Sequence, residues 1–144
     1  MKALYNRFTN IADFFKPLSL LFARLIIAYG FYEPAMNKWS GIENVAQWFG
    51  SIGIPFPLLN AYMAATTEIV GVVLLTLGLF TRLISVPLIV VMIVAIVTVH
   101  LQNGFSAGDN GYEIPLYYML FLFMFFTQGA GKFSLDRFIF GEKS

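Results

Sequence analysis

Residues 58–80 read LLNAYMAATTEIVGVVLLTLGLF, an apolar run interrupted by one carboxylate, Glu68. At about 1.5 Å per residue the run reaches roughly 33 Å, the thickness of a bilayer's hydrocarbon layer. Glu68 then lies about 15 Å from either end. Lysine and arginine snorkel to the surface from such a depth, but the short glutamate side chain cannot. An acid placed there is neutral, paired or facing a cavity. Counting by threes and fours from Glu68 gives Ala61, Ala64, Ala65, Gly71 and Leu75. Small residues on one face let another helix approach closely, so Glu68 is predicted to face into a helical bundle. The alternative is a protonated carboxyl bonded to a neighbouring helix with no other role. Ionisable groups inside a membrane mark functional sites by default.

The composition agrees with a membrane chain. Of 144 residues, 58% are hydrophobic and 12% are charged, where soluble domains carry about 25% charged residues. One compact domain, 1–144, is expected. There is no cysteine, which excludes thiol and disulfide chemistry within the chain and thiolate metal sites.

In residues 1–16, Leu4, Phe8, Ile11 and Phe15 recur at helical spacing, and Lys2, Arg7 and Lys16 lie elsewhere around the helix. This predicts a short amphipathic helix lying on the membrane. A cleaved signal peptide does not fit, because the following apolar run is too long, contains Arg24 and lacks a cleavage site. Pro17 suits the first turn of a second helix, a span over 18–36. Arg24 in that span is expected to snorkel to the near surface. Pro34 follows Glu33, and a proline there removes a backbone bond to position 30, so a kink or helix end is expected. Trp39 and Trp48 suit an interface, and the 37–57 loop is expected to hold a short surface helix. Further spans are expected over 58–80, 83–101 and 113–127. Ser134 is predicted to cap a short C-terminal amphipathic helix, with Phe133 and Phe138 as its staple. The fold class is therefore all-α, a four-helix transmembrane bundle with interfacial helices at the N-terminus, in the 37–57 loop and at the C-terminus.

Four spans put both termini and the 81–82 turn on one side. That side carries seven bases, Lys2, Arg7, Lys16, Arg82, Lys132, Arg137 and Lys143, against Lys38 alone on the other. Positive charge marks the cytoplasm, so both termini are expected inside. Glu33, Lys38, His100, Asn103 and Glu113 then gather near the outer face, and Glu68 leans towards it. These residues could line one outward-facing pocket, with Tyr29, Tyr117 and Tyr118 among the aromatic groups. Each has a plainer reading. Glu113 can simply complement the start of its helix, and His100 can be an interface residue bonding a carbonyl. One histidine with scattered carboxylates lacks the spacing of a metal site. No hydrolase triad, phosphate loop or dinucleotide fingerprint is present, and no nucleic-acid partner is expected. A histidine and buried acids beside a lipid-accessible cavity suit proton exchange with a quinone. They also suit a proton-coupled small-solute carrier, although no inverted repeat of broken helices is visible.

Six pieces carry a family likeness: GFYEPAMNK (30–38), TEIVG (67–71), LGLFTR (77–82), TVHLQNGF (98–105), GYEIP (111–115) and GAGKFSLD (129–136). In this order, over roughly 18–138, the chain resembles the DoxX family of small bacterial membrane proteins. The resemblance implies a four-helix bundle in the bacterial inner membrane. Glu68 matches the acid of the family's second helix, His100 the histidine ending its third and Lys38 the lysine after its first. Relatives include a membrane subunit associated with thiosulfate:quinone oxidoreduction. This implies a redox-linked, quinone-associated subunit in which Glu68 and His100 are the candidate catalytic residues. Glu33, Lys38, Asn103, Glu113, Tyr29 and Tyr117 are the candidate binding residues. A partner oxidoreductase, or the product of a neighbouring gene, would supply electrons. The alternative is a non-catalytic membrane anchor or assembly factor for a partner enzyme.

Overall fold

The computed structural model describes residues 1–141; Lys143, one of the seven bases, lies outside the described residues. Everything regular in it is helical. Helix α1 spans Lys2–Ser40, α2 Ile42–Ser51, α3 Pro57–Leu77, α4 Thr81–Ala95, α5 Glu113–Gln128 and α6 Leu135–Phe140. A π turn, Ile96–His100, and a 3-10 turn, Leu101–Asn103, prolong α4. Two helices are long and apolar enough to cross a membrane, Pro57–Leu77 and the extended Thr81–Asn103.

The first helix differs from the sequence expectation. Instead of an interfacial helix, a break at Pro17 and a second helix, one helix of 39 residues runs through both Pro17 and Pro34. Each proline costs one backbone bond. The carbonyls they release belong to Asp13, which is exposed, and Gly30, which borders a cavity. Neither loss is sealed in a dry core, so the helix tolerates both.

The end of α3 follows local rules. Gly78 is left-handed, and the amides of Gly78 and Leu79 return to the carbonyls of Leu75 and Leu74. This is the Schellman arrangement that closes a helix on glycine. Two residues later α4 begins, and its first amides are capped from far along the chain. Asp136 accepts from Phe80 N at 2.7 Å and Thr81 N at 2.9 Å. Ser134 caps α6 as expected, accepting from Arg137 N. Phe138 is 86% exposed and does not close a staple on Phe133.

Helices α1, α3, α4 and α5 share one apolar core built around Ile27, Phe31, Leu75, Leu88, Leu122 and Phe125. Small residues bring α3 close to its neighbours. Ala61, Ala65 and Gly71 are buried, and a methyl added at Gly71 would lie 2.8 Å from Leu88 Cδ1. A smaller cluster of Ala46, Phe49 and Ala61 seats α2 on the start of α3.

Arg24 departs from the expected snorkelling. It is 1% exposed and donates from Nη2 to the Phe133 carbonyl at 2.7 Å. Its guanidinium lies directly against Gly78, where any side chain would collide with it. The negative charge of Asp136 is nearby. The 133–136 segment folds over this end of the bundle and supplies one hydrogen bond and a nearby carboxylate, while Nε and Nη1 are buried without a hydrogen-bond partner among the described residues.

Candidate functional site

Glu68 comes to the site because α3 is packed on α1 through its small-residue face. It is 2% exposed, and its Oε2 accepts from Lys38 Nζ at 2.9 Å. Lys38 stands in the last turn of α1, about one turn beyond the point where a break at Pro34 was expected. The unbroken helix delivers the ammonium to the carboxylate. Trp39, next along, donates its indole N–H to the Ala65 carbonyl at 3.2 Å and packs edge-on against Tyr62, pinning the same junction. A buried ion pair of this kind is stable only while both charges are present, because either charge alone is poorly solvated.

The pair borders a cavity of about 510 Å³. That volume is typical of a small-molecule site. Most of the wall is apolar, from Phe31, Phe49, Met63, Val90, Val94 and their neighbours. The polar groups are few: Lys38, Glu68, His100, Asn60, Thr67, Thr98 and Tyr118.

His100 reaches this wall from the π turn that ends the α4 column. Such turns re-aim side chains and cluster at functional sites. Its Nδ1 lies 2.9 Å from the Asn110 carbonyl. A carbonyl only accepts, so Nδ1 carries a hydrogen, and in the neutral ring the lone pair is on Nε2. The 104–112 loop holds that carbonyl in place. Asn103 Nδ2 donates to the same oxygen at 3.1 Å, and Gly111 N donates to Ser106 O at 2.8 Å. Only glycine fits at 111, because a side chain would meet the Gly104 carbonyl and Phe105.

The other candidates lie elsewhere. Glu33 is exposed, and Tyr29, at 78% exposure, points away from the bundle. Glu113 accepts from Ala107 N at 2.9 Å and from Tyr117 Oη at 3.0 Å, so both side chains brace the 104–112 loop. Asn103 orients the carbonyl that His100 uses. None of these five lines the cavity. Tyr118, the neighbour of Tyr117, does line it, with its hydroxyl against Gly30 and its ring edge-on to Phe31 at 5.3 Å. Among the described residues no group of three or more His, Cys, Asp or Glu side chains converges to hold a metal ion. The arrangement can hold a small, largely apolar molecule and offer its polar atoms a cation, a carboxylate and an imidazole.

The DoxX family model matches residues 19–101. The chain is 36% identical over 130 residues to an uncharacterised protein of Haemophilus influenzae, covering 85% of this chain and 83% of that one. It is 33% identical over 126 residues to the "Putative oxidoreductase CatD" of Bacillus subtilis, covering 88% and 90%. It is 30% identical over 128 residues to the inner membrane protein YphA of Escherichia coli, covering 85% and 91%. No solved structure matches. With two helices fit to cross a bilayer, relatives named as membrane proteins and a family match over more than half its length, the chain is a membrane protein and belongs to the DoxX family.

Proposed function

We propose that the chain is a redox-linked inner-membrane subunit that holds a quinone in the cavity, with His100 and the Lys38–Glu68 pair exchanging protons with it. The observation that carries this reading is one apolar cavity bordered by both a buried ion pair and a histidine whose Nδ1 is already committed to a carbonyl. Quinone reduction takes up two electrons and two protons. Groups that titrate or share protons beside an apolar ring are the chemistry it needs. The chain has no cysteine to relay electrons, so a partner oxidoreductase supplies them. The relative named as an oxidoreductase supports the same direction.

In this reading α1 from about residue 18 and α5 cross the membrane beside α3 and α4. The basic termini and the 81–82 turn face the cytoplasm. The test is gentle purification from native membranes, followed by identification of bound lipids and co-purifying proteins. Stoichiometric quinone that is lost in His100→Ala and Glu68→Gln supports the assignment.

A membrane anchor for a partner enzyme is the second reading. It is favoured by the first sixteen residues of α1, which extend from the bundle with Leu4, Phe8 and Ile11 uncovered. A stable partner, no quinone and full complementation by both variants would leave that reading standing.

A further inference from the structure

Helices α3 and α4 are joined by the short turn 78–80 and pack on each other less than either packs on its other neighbour. Below the cavity Gly71 receives the Leu88 side chain. Over their whole lengths α3 packs mainly on α1 and α4 mainly on α5, and α3 barely meets the π turn. Pro87, inside α4 and next to Leu88, borders the cavity.

Several cavity-lining residues are also open on the outside of the bundle. Met63 on α3 is 58% exposed, and Val90 and Val94 on α4 are 54% and 42% exposed. Met63 and Val94 each lie about 20 Å along their helices from the shared turn, so they stand at a similar height, and both line the same cavity. Both helices have the length and hydropathy of membrane spans. At that height their outer surfaces meet hydrocarbon rather than water.

We infer that the cavity opens sideways, between α3 and α4 at the level of Met63 and Val94, and that its ligand arrives dissolved in the bilayer. This rests on the reading that α3 and α4 cross the membrane. It names the ligand class: a small, neutral, lipid-soluble molecule whose one polar end reaches Lys38, Glu68 and His100. A water-borne anion or sugar has no such route, because the valine and methionine at that level offer a charge or a hydroxyl no partner until the cavity is reached. A phospholipid acyl chain enters the same opening only as a transient occupant, since it brings nothing for the polar wall to bind.

The absence of native cysteine permits a direct test. Thr67→Cys and Ala64→Cys place a thiol on the α3 wall of the cavity, and Gly108→Cys places one on the exposed outer loop. Opened membrane vesicles expose both faces to each reagent. A neutral lipid-soluble maleimide, such as N-cyclohexylmaleimide, is compared with a sulfonated, charged maleimide. Each rate is divided by that at position 108. The expected result is a ratio at least about tenfold higher for the neutral reagent at both cavity positions, because carrying a charge into hydrocarbon is costly. Equal ratios for the two reagents would overturn the lateral opening in favour of an aqueous mouth. Failure of both reagents at both positions would overturn it in favour of a closed wall. Neither result depends on whether quinone is found in the purified protein.

Discussion

Lys38 Nζ lies 2.9 Å from Glu68 Oε2, and this one contact ties the last turn of α1 to the middle of α3. The same two charges tie the helices together and form the polar end of the cavity. Removing one partner strands the other. Lys38→Met leaves a carboxylate among apolar atoms and is expected to cost at least about 2 kcal/mol, somewhat below fully buried pairs because Lys38 keeps partial access. The double variant Lys38→Met/Glu68→Gln, which removes both charges, is expected to recover most of that loss. Thermal unfolding in detergent measures both. If the single and double variants unfold alike, the pair is not the stabilising contact.

Glu68→Gln alone is expected to fold, because an amide keeps the shape and can still accept from Lys38. Glu68→Lys is expected not to accumulate. It would set two ammonium groups together at a position that is 2% exposed and about mid-depth in α3. Insertion alone costs about 2.5–3.5 kcal/mol for such a cation at a helix centre. Membrane yield, by immunoblot of the intact chain, distinguishes the two.

The opposite end of the bundle depends on Arg24, Gly78 and Asp136. Gly78→Ala puts a methyl into the guanidinium of Arg24 and forces a left-handed residue to carry a side chain. Its cost is expected to exceed the roughly 1 kcal/mol typical of a glycine replaced at such a cap. Asp136→Asn keeps one acceptor but loses the charge that caps the first amides of α4, for a loss of about 1 kcal/mol. Both should release the 132–140 segment to protease before the rest of the chain.

The orientation rests on where the bases lie, and cysteine labelling from outside the cell checks it. Reaction at 43 and 108 but not at 82 is expected. The reverse pattern would turn the bundle over. Labelling at 143, where access from outside is not expected, tests whether the C-terminus is cytoplasmic, at a position beyond the described residues.

The parts legible in the sequence are those governed by local chemistry. The apolar run at 58–80 corresponds to α3, Pro57–Leu77, because proline and glycine punctuate both ends. Its small-residue face correctly placed Glu68 inside. What escaped the sequence depended on distant partners. Arg24 is buried because residues some 110 positions later fold over it, and the Asp136 cap crosses 55 positions. Nothing in the spacing around either residue carries that information. Adjacent tyrosines differ by about 100° around a helix, so without the neighbouring helix the sequence could not say that Tyr118 faces the cavity while Tyr117 braces Glu113. The expected break at Pro34 also set Glu33 beside the site. The continuous helix instead turns Glu33 outward and brings Lys38 in.

Tyr118 supplies the last prediction. Its hydroxyl rests against Gly30, and a methyl at position 30 would meet Tyr118 Cζ at 2.6 Å. Gly30→Ala therefore has to push the ring aside, and the available space is the cavity that Tyr118 lines. Overpacking of this kind costs about 1–3 kcal/mol. The Lys38–Glu68 pair lies two turns away along α1 and is left intact. Ligand retention should fall in Gly30→Ala more than stability does. Adding Tyr118→Leu to Gly30→Ala should restore the volume and the retained ligand, because the colliding ring is gone. Bound quinone per mole of purified protein, read alongside the unfolding temperature, checks this. If Gly30→Ala retains full ligand, Tyr118 does not control the cavity's shape.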